Sequence, residues 1–507
     1  MSKTSILYEN HDATVFLIDI PTSIALAQSL SPQTTPSNAL PSSNNKPSSQ
    51  LQPNPTLKRL LSSPALERPY TSTEPKSVAA RARALQRIPR SEREVAAAIE
   101  PVVLGALGEI RSGYREGWKW CFSRCLVTDR DEPPAEEHGA GVRLGKKRRK
   151  GEEDRADHDQ EYQSSLYDAD RQAPDSEQPF ETVNQPPLIL SPGLNKFESG
   201  AELHNHIVKN TSSETATVKI CPSSNLSNTS SDPAEKRREE QEQGQTYIIP
   251  PLSKFLICNL PISTPSKLNP IPGLLPNHKF NLILLDPPWS NRSVRRSGHY
   301  QTQTYLDSER LTESICNVLR VHSYSPLFAE TTAEGGGGSM SDMCVAAIWI
   351  TNSAKARKTA YDSLIGAGFT VSEEWVWVKT TVYGEPVTYV EGLWRKPYEV
   401  LVVGVKQNEK EDKNERAMPW SGLVDEIETT QTNIRRRVIV AVPDVHSRKP
   451  NLREAFERVF FSSAKGGSGT QYEALEVFAR NLTAGWWACG NEVLKFNDGE
   501  WWVDSDA

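Results

Sequence analysis

From about residue 246 onward, short apolar, β-branched runs alternate with amphipathic stretches of helical period, the pattern of an α/β sheet. Strands are predicted at 280–285, 344–350, 375–379, 400–405, 438–442 and 475–478. Several are apolar at every position, which predicts strands covered on both faces and therefore central. Residues 353–364 read as a helix that Asn352 or Ser353 caps and Gly366 stops, and Leu452, Ala455, Phe456, Val459 and Phe460 make the apolar stripe of another. Two inserts interrupt the pattern, 334–341 with four consecutive glycines and the charged stretch 407–416, and both are expected to be loops.

The first half of the chain has a different texture. Residues 6–8 and 14–20 flank the turn-prone Asn10-His11-Asp12 and predict a hairpin within 1–28, which should dock elsewhere because two strands alone are marginal. Residues 29–76 are mostly Ser, Pro, Asn and Thr, too poor in large apolar side chains to offset their ordering entropy, and predict a disordered linker. Residues 77–127 form a helical accessory segment, with Val95, Ile99, Val102, Val103 and Leu107 near helical spacing and an aromatic cluster at Tyr114, Trp118, Trp120 and Phe122. Residues 128–245 return to charged and polar runs and predict a second, largely disordered linker.

Charge and cysteine usage narrow the function classes. Over 507 residues, 58 Lys and Arg stand against 64 Asp and Glu, a net charge of -6. The surface as a whole is therefore no polycation, and any contact to nucleic acid has to be a local basic patch. The seven cysteines, at 121, 125, 221, 258, 316, 344 and 489, lack the paired spacings of a disulfide framework or a zinc site, which fits a reducing compartment and no bound metal. Glu9, Asp12 and Asp19 interrupt the apolar start, so no signal peptide is expected. No apolar run approaches the roughly 20 residues that span a bilayer, which predicts a soluble protein without membrane contact.

The sharpest chemical signal is Leu284-Leu285-Asp286-Pro287-Pro288-Trp289, where an apolar strand should end at the carboxyl edge of the sheet. Open α/β sheets bind their ligands at that edge. The tetrad suits one demanding acceptor. Adenine's exocyclic nitrogen is a poor nucleophile because its lone pair is delocalised, so a site has to hold acceptors against its two hydrogens. The Asp286 carboxylate and the Pro287 carbonyl are such acceptors. Two successive prolines fix φ and aim the carbonyl in advance, and Trp289 can stack on a purine. Arg292, Arg295, Arg296 and His299 follow at once and form the local basic patch that the acidic balance demands, with Arg435, Arg436 and Arg437 as a second candidate. Lys146, Lys147, Arg148, Arg149 and Lys150 suit nuclear import or nucleic-acid binding, and their place in a disordered acidic segment favours import.

Residues 247–496 resemble the MT-A70 family, named for the seventy-kilodalton subunit of mRNA adenosine methyltransferase, and within it the methyltransferase-like protein 4 branch. The resemblance rests on Pro250-Pro251-Leu252-Ser253-Lys254-Phe255, on Asp286-Pro287-Pro288-Trp289 followed by Asn291-Arg292-Ser293, and on Trp349-Ile350-Thr351-Asn352. It continues through Trp375-Val376-Trp377-Val378-Lys379, Lys396-Pro397-Tyr398-Glu399, Phe478-Ala479-Arg480-Asn481 and Gly490-Asn491-Glu492. It implies a Rossmann-like methyltransferase domain over 246–507, with a mixed, mostly parallel sheet and S-adenosylmethionine as methyl donor.

It further implies that Asp286, Pro287, Pro288 and Trp289 are catalytic and that Tyr305 and Trp349 lie close to the target base. Asn259 and Leu260 resemble the pair that holds the donor's adenine. Lys396, Arg480, Asn481, Asn491 and Glu492, with Asp286, resemble the contacts to the rest of the donor. Where the family has Ser-His-Lys-Pro, this chain has Ser447-Arg448-Lys449-Pro450, and Arg448 is expected to be an exposed charge or a phosphate contact. The implied activity is N6 methylation of adenine in RNA or DNA, in the nucleus, by a monomeric catalytic unit. A binding subunit without catalysis and a protein-glutamine methyltransferase are the alternatives; the intact tetrad disfavours the first, and Trp289 with its neighbouring arginines the second.

Overall fold

A computed structural model describes residues 4–30, 58–127 apart from 73 and 116, 186–221, 244–289, 308–324, 343–406, 434–461 apart from 447, and 472–504. The N-terminal hairpin pairs β1 (Ile6–Glu9) with β2 (Val15–Ile18), and α1 (Ile20–Ala27) follows under an Asp19 cap. The accessory segment supplies β3 (Arg59–Ser62), α2 (Val78–Arg87), α3 (Arg90–Gly113) and β4 (Cys125–Leu126). Next come β5 (Leu188–Leu190), β6 (Gly193–Phe197), β7 (Ile207–Asn210) and β8 (Ala216–Ile220). They lead into β9 (Gln245–Ile249), β10 (Lys254–Ile257) and β11 (Leu282–Leu285). Helix α4 (Ser308–His322) precedes β12 (Cys344–Ile350), and α5 (Ala354–Gly366) precedes β13 (Thr370–Lys379) and β14 (Tyr398–Lys406). The chain closes with β15 (Arg435–Ala441), the short α6 (Arg453–Phe456) running into a π-helical turn, β16 (Ala474–Val477), β17 (Trp487–Gly490) and β18 (Trp502–Val503).

Twelve strands form one sheet in the order β1-β2-β15-β13-β14-β12-β11-β16-β17-β10-β7-β5. All run in one direction except β1, β14, β7 and β5. The mixed, mostly parallel α/β sheet is therefore present, and its central strands are buried at every position, as β12 shows from Cys344 to Ile350. Alternation sorts their side chains between two layers. Val376, Val378, Val438 and Val440 pack with α3, α4 and α5 on one face, while Trp375, Trp377, Ile439 and Leu284 meet α1 and Phe456 on the other. Ser353 caps α5 through Ala356, and the helix runs through Gly366 before the chain turns at Gly368, φ +82°.

Parts of the expected linkers are ordered strands. In 29–76, β3 buries Leu60 and Leu61 and pairs with both β18 and β4. In 128–245, β5 and β7 extend the large sheet, while β6 and β8 pair with β9 in a smaller one. Composition averaged over a long window hid short alternating runs such as Ala216, Val218 and Ile220, all buried. The sheet therefore draws strands from well before residue 246. The second basic candidate is structural: Arg437 is buried against Glu373 at 2.6 Å, Arg436 pairs with Glu374 at 3.0 Å, and Arg435 donates to the Asp12 carbonyl. These side chains fasten β15 to β13 and the hairpin, so Arg436 and Arg437 are occupied structurally and Arg435 alone of the three is exposed.

Candidate active site

Strands β11 and β16 lie side by side and parallel, and their connections leave in opposite directions, to β12 on one side and β17 on the other. A crevice must open beyond their carboxyl ends. Asp286 is the first residue past β11, and its amide donates to the Val477 carbonyl at 3.2 Å, so the two strand exits are tied together. The Pro287 carbonyl accepts the Trp289 amide at 2.9 Å, which leaves one of its two lone pairs for another donor. The Trp289 indole donates to the Trp349 carbonyl at 2.7 Å, fixing the ring beside β12. Trp349 is buried and meets Trp377 edge-on at 6.0 Å.

A chain of alternating charges surrounds the carboxylate. The Lys449 ammonium lies 2.9 Å from both Asp286 oxygens and 3.6 Å from Glu399, which in turn is 2.6 Å from Lys379. Burial works against Glu399 ionising, but Lys379 and Lys449 override it and hold the carboxyl at about 2. Burial likewise lowers the Lys449 pKa, yet Asp286 and Glu399 carry it above the ordinary lysine value. Glu476 on β16 faces the same small cavity, about 40 Å³. Its burial and the neighbouring Asp286 charge push it up to about 8.

The exits of β16, β17 and β10 bring a second group to this edge. Arg480 pairs with Glu492 at 3.1 Å. Phe478 holds a left-handed backbone, φ +58°, which a non-glycine residue adopts at a cost of order 1–3 kcal/mol. Gly490 is packed against it, and a Cβ there would stand 3.2 Å from the Phe478 Cα. The Asn481 Nδ2 is buried, lines the cavity, and has no hydrogen-bond partner among the described residues. Asn491 and exposed Asn259 stand just past the paired ends of β17 and β10, with Leu260 buried beside them. Asp286, Pro287, Pro288, Trp289, Trp349, Arg480, Asn481, Asn491, Glu492, Asn259 and Leu260 thus share one sheet edge.

Lys396 stands apart from that group: its ammonium is 2.7 Å from Glu100 on α3 and also reaches the Val390 carbonyl. Tyr305, Arg292, Arg295, Arg296 and His299 lie outside the described residues, as do Lys146 to Lys150.

Arg448 is neither exposed nor open to phosphate. It is fully buried, 2.7 Å from Asp444, donates to the Leu61 carbonyl, and is sandwiched between Phe496 and Trp501. Its role is to hold the turn that presents Lys449. Sequence alone assigns no role to Lys449, Glu399, Lys379 or Glu476: the first three stand inside motif blocks without a function of their own, and Glu476 carries its own signal, an acid inside an apolar strand. Among the described residues no group of three or more His, Cys, Asp or Glu is arranged to hold a metal, and no helix is long and apolar enough to cross a membrane.

Among known proteins, residues 338–492, a stretch that begins after the tetrad, match the MT-A70 family. Within that stretch the chain is similar to the MT-A70 family. It is 38% identical over 229 residues to a Cryphonectria parasitica protein named N6-methyladenosine RNA methyltransferase MTA1, covering 45% of this chain and 55% of that one. It is 30% identical over 267 residues to the human N(6)-adenine-specific methyltransferase METTL4, covering 51% of this chain and 46% of the relative. A Caenorhabditis elegans protein named DNA N6-methyl methyltransferase is 26% identical over 246 residues, 48% of this chain and 52% of its own. The chain spans about half the length of the curated relatives it matches.

Proposed function

We propose that the protein transfers a methyl group from S-adenosylmethionine to the exocyclic N6 amine of adenine in a nucleic acid. The observation that carries this reading is Asp286 at the crevice, held by Lys449 and followed by a tryptophan tethered to Trp349. When bound, S-adenosylmethionine supplies an electrophilic methyl on a sulfonium, so acceleration depends on positioning the amine. The Asp286 carboxylate and the remaining lone pair of the Pro287 carbonyl accept the two amine hydrogens and draw electron density toward the nitrogen. Trp289 and Trp349 flank the base. The buried, unpartnered Asn481 amide fits a donor oxygen, and Asn491 and Glu492 suit ribose hydroxyls. Since Lys396 is held at Glu100 on α3 while Lys449 stands at the Asp286 crevice, we assign the cationic contact of the donor site to Lys449 by position.

The relatives' names divide between RNA and DNA, and resemblance to the methyltransferase-like protein 4 branch favours a 2′-O-methyladenosine of small nuclear RNA, with DNA second. We place the activity in the nucleus, on the basic run at 146–150, and in a single chain. Mass spectrometry of nucleosides from small nuclear RNA, messenger RNA and DNA, in cells with and without the protein, tests this directly. Loss of N6 methylation from small nuclear RNA is expected, loss from DNA alone would transfer the assignment to DNA, and three unchanged pools would contradict it.

A further inference from the structure

A cleft of about 810 Å³ lies beside the Asp286 crevice, between the accessory helices and the carboxyl edge of the sheet. Its floor includes Asn352, three residues past Trp349, and Lys396 and Tyr398, which lead into Glu399. The cleft therefore opens along the edge where Asp286 stands. We propose that it binds a single-stranded stretch of the nucleic acid carrying the target adenine; this rests on the nucleic-acid reading above and gives the accessory segment its purpose.

Charge is the first support. The chain is acidic overall, yet between Ser77 and Ser91 it has four arginines, 81, 83, 87 and 90, and no acid. Of the exposed cations, Arg81 and Arg93 line one side of the cleft, and Lys358, paired with Asp362 at 2.7 Å, lines the other from the start of α5. Four acids line the wall, and three are engaged: Glu92 accepts the Ala354 amide at 2.9 Å, Glu94 pairs with Arg90 at 2.6 Å, and Glu100 pairs with Lys396 at 2.7 Å. Glu391 is the fourth. In the lining Arg81, Arg93, Arg357, Lys358 and Lys396 stand against those acids, and exposed cations of this kind suit a phosphate backbone.

Aromatic exposure is the second, independent support. Trp394 in the cleft wall is 58% exposed, and Tyr389 and Tyr383 on the same loop are 66% and 56% exposed. The loop is pinned: the Glu74 carboxylate accepts the Leu393 and Trp394 amides at 3.0 and 3.2 Å, and Arg81 donates to the Glu391 carbonyl. A large ring on a fixed backbone, held out in water, is a ready stacking surface. Only unpaired bases offer their faces to it, which selects a single strand over a duplex.

The full chain is titrated with a fluorescent, unstructured oligonucleotide containing one adenine, over a series of salt concentrations, with methyl transfer measured in parallel. Arg93→Gln/Lys358→Gln should weaken binding roughly tenfold and flatten the slope of log K against log salt by about 1.4, two contacts at about 0.7 each. Trp394→Ala should also weaken it roughly tenfold without changing that slope. Hydrogen exchange on the unaltered protein should slow at 78–97 and 389–394 when oligonucleotide is added. If the unaltered protein binds and methylates but exchange at those segments is unchanged, or both variants bind normally, the cleft is not the strand's path and the proposed activity stands. Equal binding of a blunt duplex would overturn single-strand selection. Failure of the unaltered protein either to bind or to methylate would remove the nucleic-acid reading itself.

Discussion

Glu476 is an acid on a strand whose neighbours Ala474, Leu475 and Val477 are buried. Its pKa is raised to about 8 by burial and by Asp286, against an ordinary 4.5. Below the ordinary value the carboxyl is neutral folded and unfolded; as pH rises, the unfolded chain ionises first, so the folded state loses stability from about pH 4.5 until the folded group titrates near 8. Glu476→Gln cannot ionise and should escape that loss. Thermal melts should show variant and natural protein alike near pH 4.5, with the variant ahead by pH 8 by on the order of 1–3 kcal/mol. A constant difference across that range would refute the assignment. At this scale the sequence was legible where a residue's type alone names its chemistry, as for Asp286 and Trp289. It was not legible where partners decide the role: Lys396 and Lys449 each precede a proline, and only the fold separates the lysine on Glu100 from the lysine on Asp286.

Burial alone did not make an element legible, since β10 and β17 are buried almost throughout and were not predicted. Runs that are apolar at every position announced β12, β14 and β15, because central strands need nothing else. The short strands β3 and β5 to β8 went unseen, since half-buried strands of three to five residues carry too little apolar signal inside polar surroundings. Their place is set by distant partners, as β3 by β18 and β4. The accessory segment docks by the same kind of long-range contact: the Trp120 amide donates to the Val382 carbonyl, and Arg111 donates to the Gly384 carbonyl. Gly384 has φ +78°, and an added Cβ would land on the Trp120 ring. Gly384→Ala should therefore destabilise by about 1–3 kcal/mol through strain and displaced packing. Chemical denaturation would check this, and an unchanged midpoint would show that the loop and Trp120 do not pack as described.

Across the whole molecule, one sheet edge gathers residues from β10, β11, β12, β14, β16 and β17, and the accessory segment flanks that edge rather than standing apart. Net acidity and local basicity coexist because charge is partitioned: Arg436 and Arg437 are consumed in pairing β15 to β13, while the arginines of α2 stay exposed. The most direct measurement is transfer of labelled methyl from S-adenosylmethionine to an adenine-containing oligonucleotide by the full chain and by Asp286→Asn, which keeps the shape of the side chain and removes its charge. The natural protein should place label on adenine N6. The variant should fall by a factor of about 100 or more, as when an acceptor aimed at developing charge is lost, while binding the oligonucleotide within a few-fold of normal. Undiminished transfer by the variant, or label found on added peptide and not on adenine, would contradict the account.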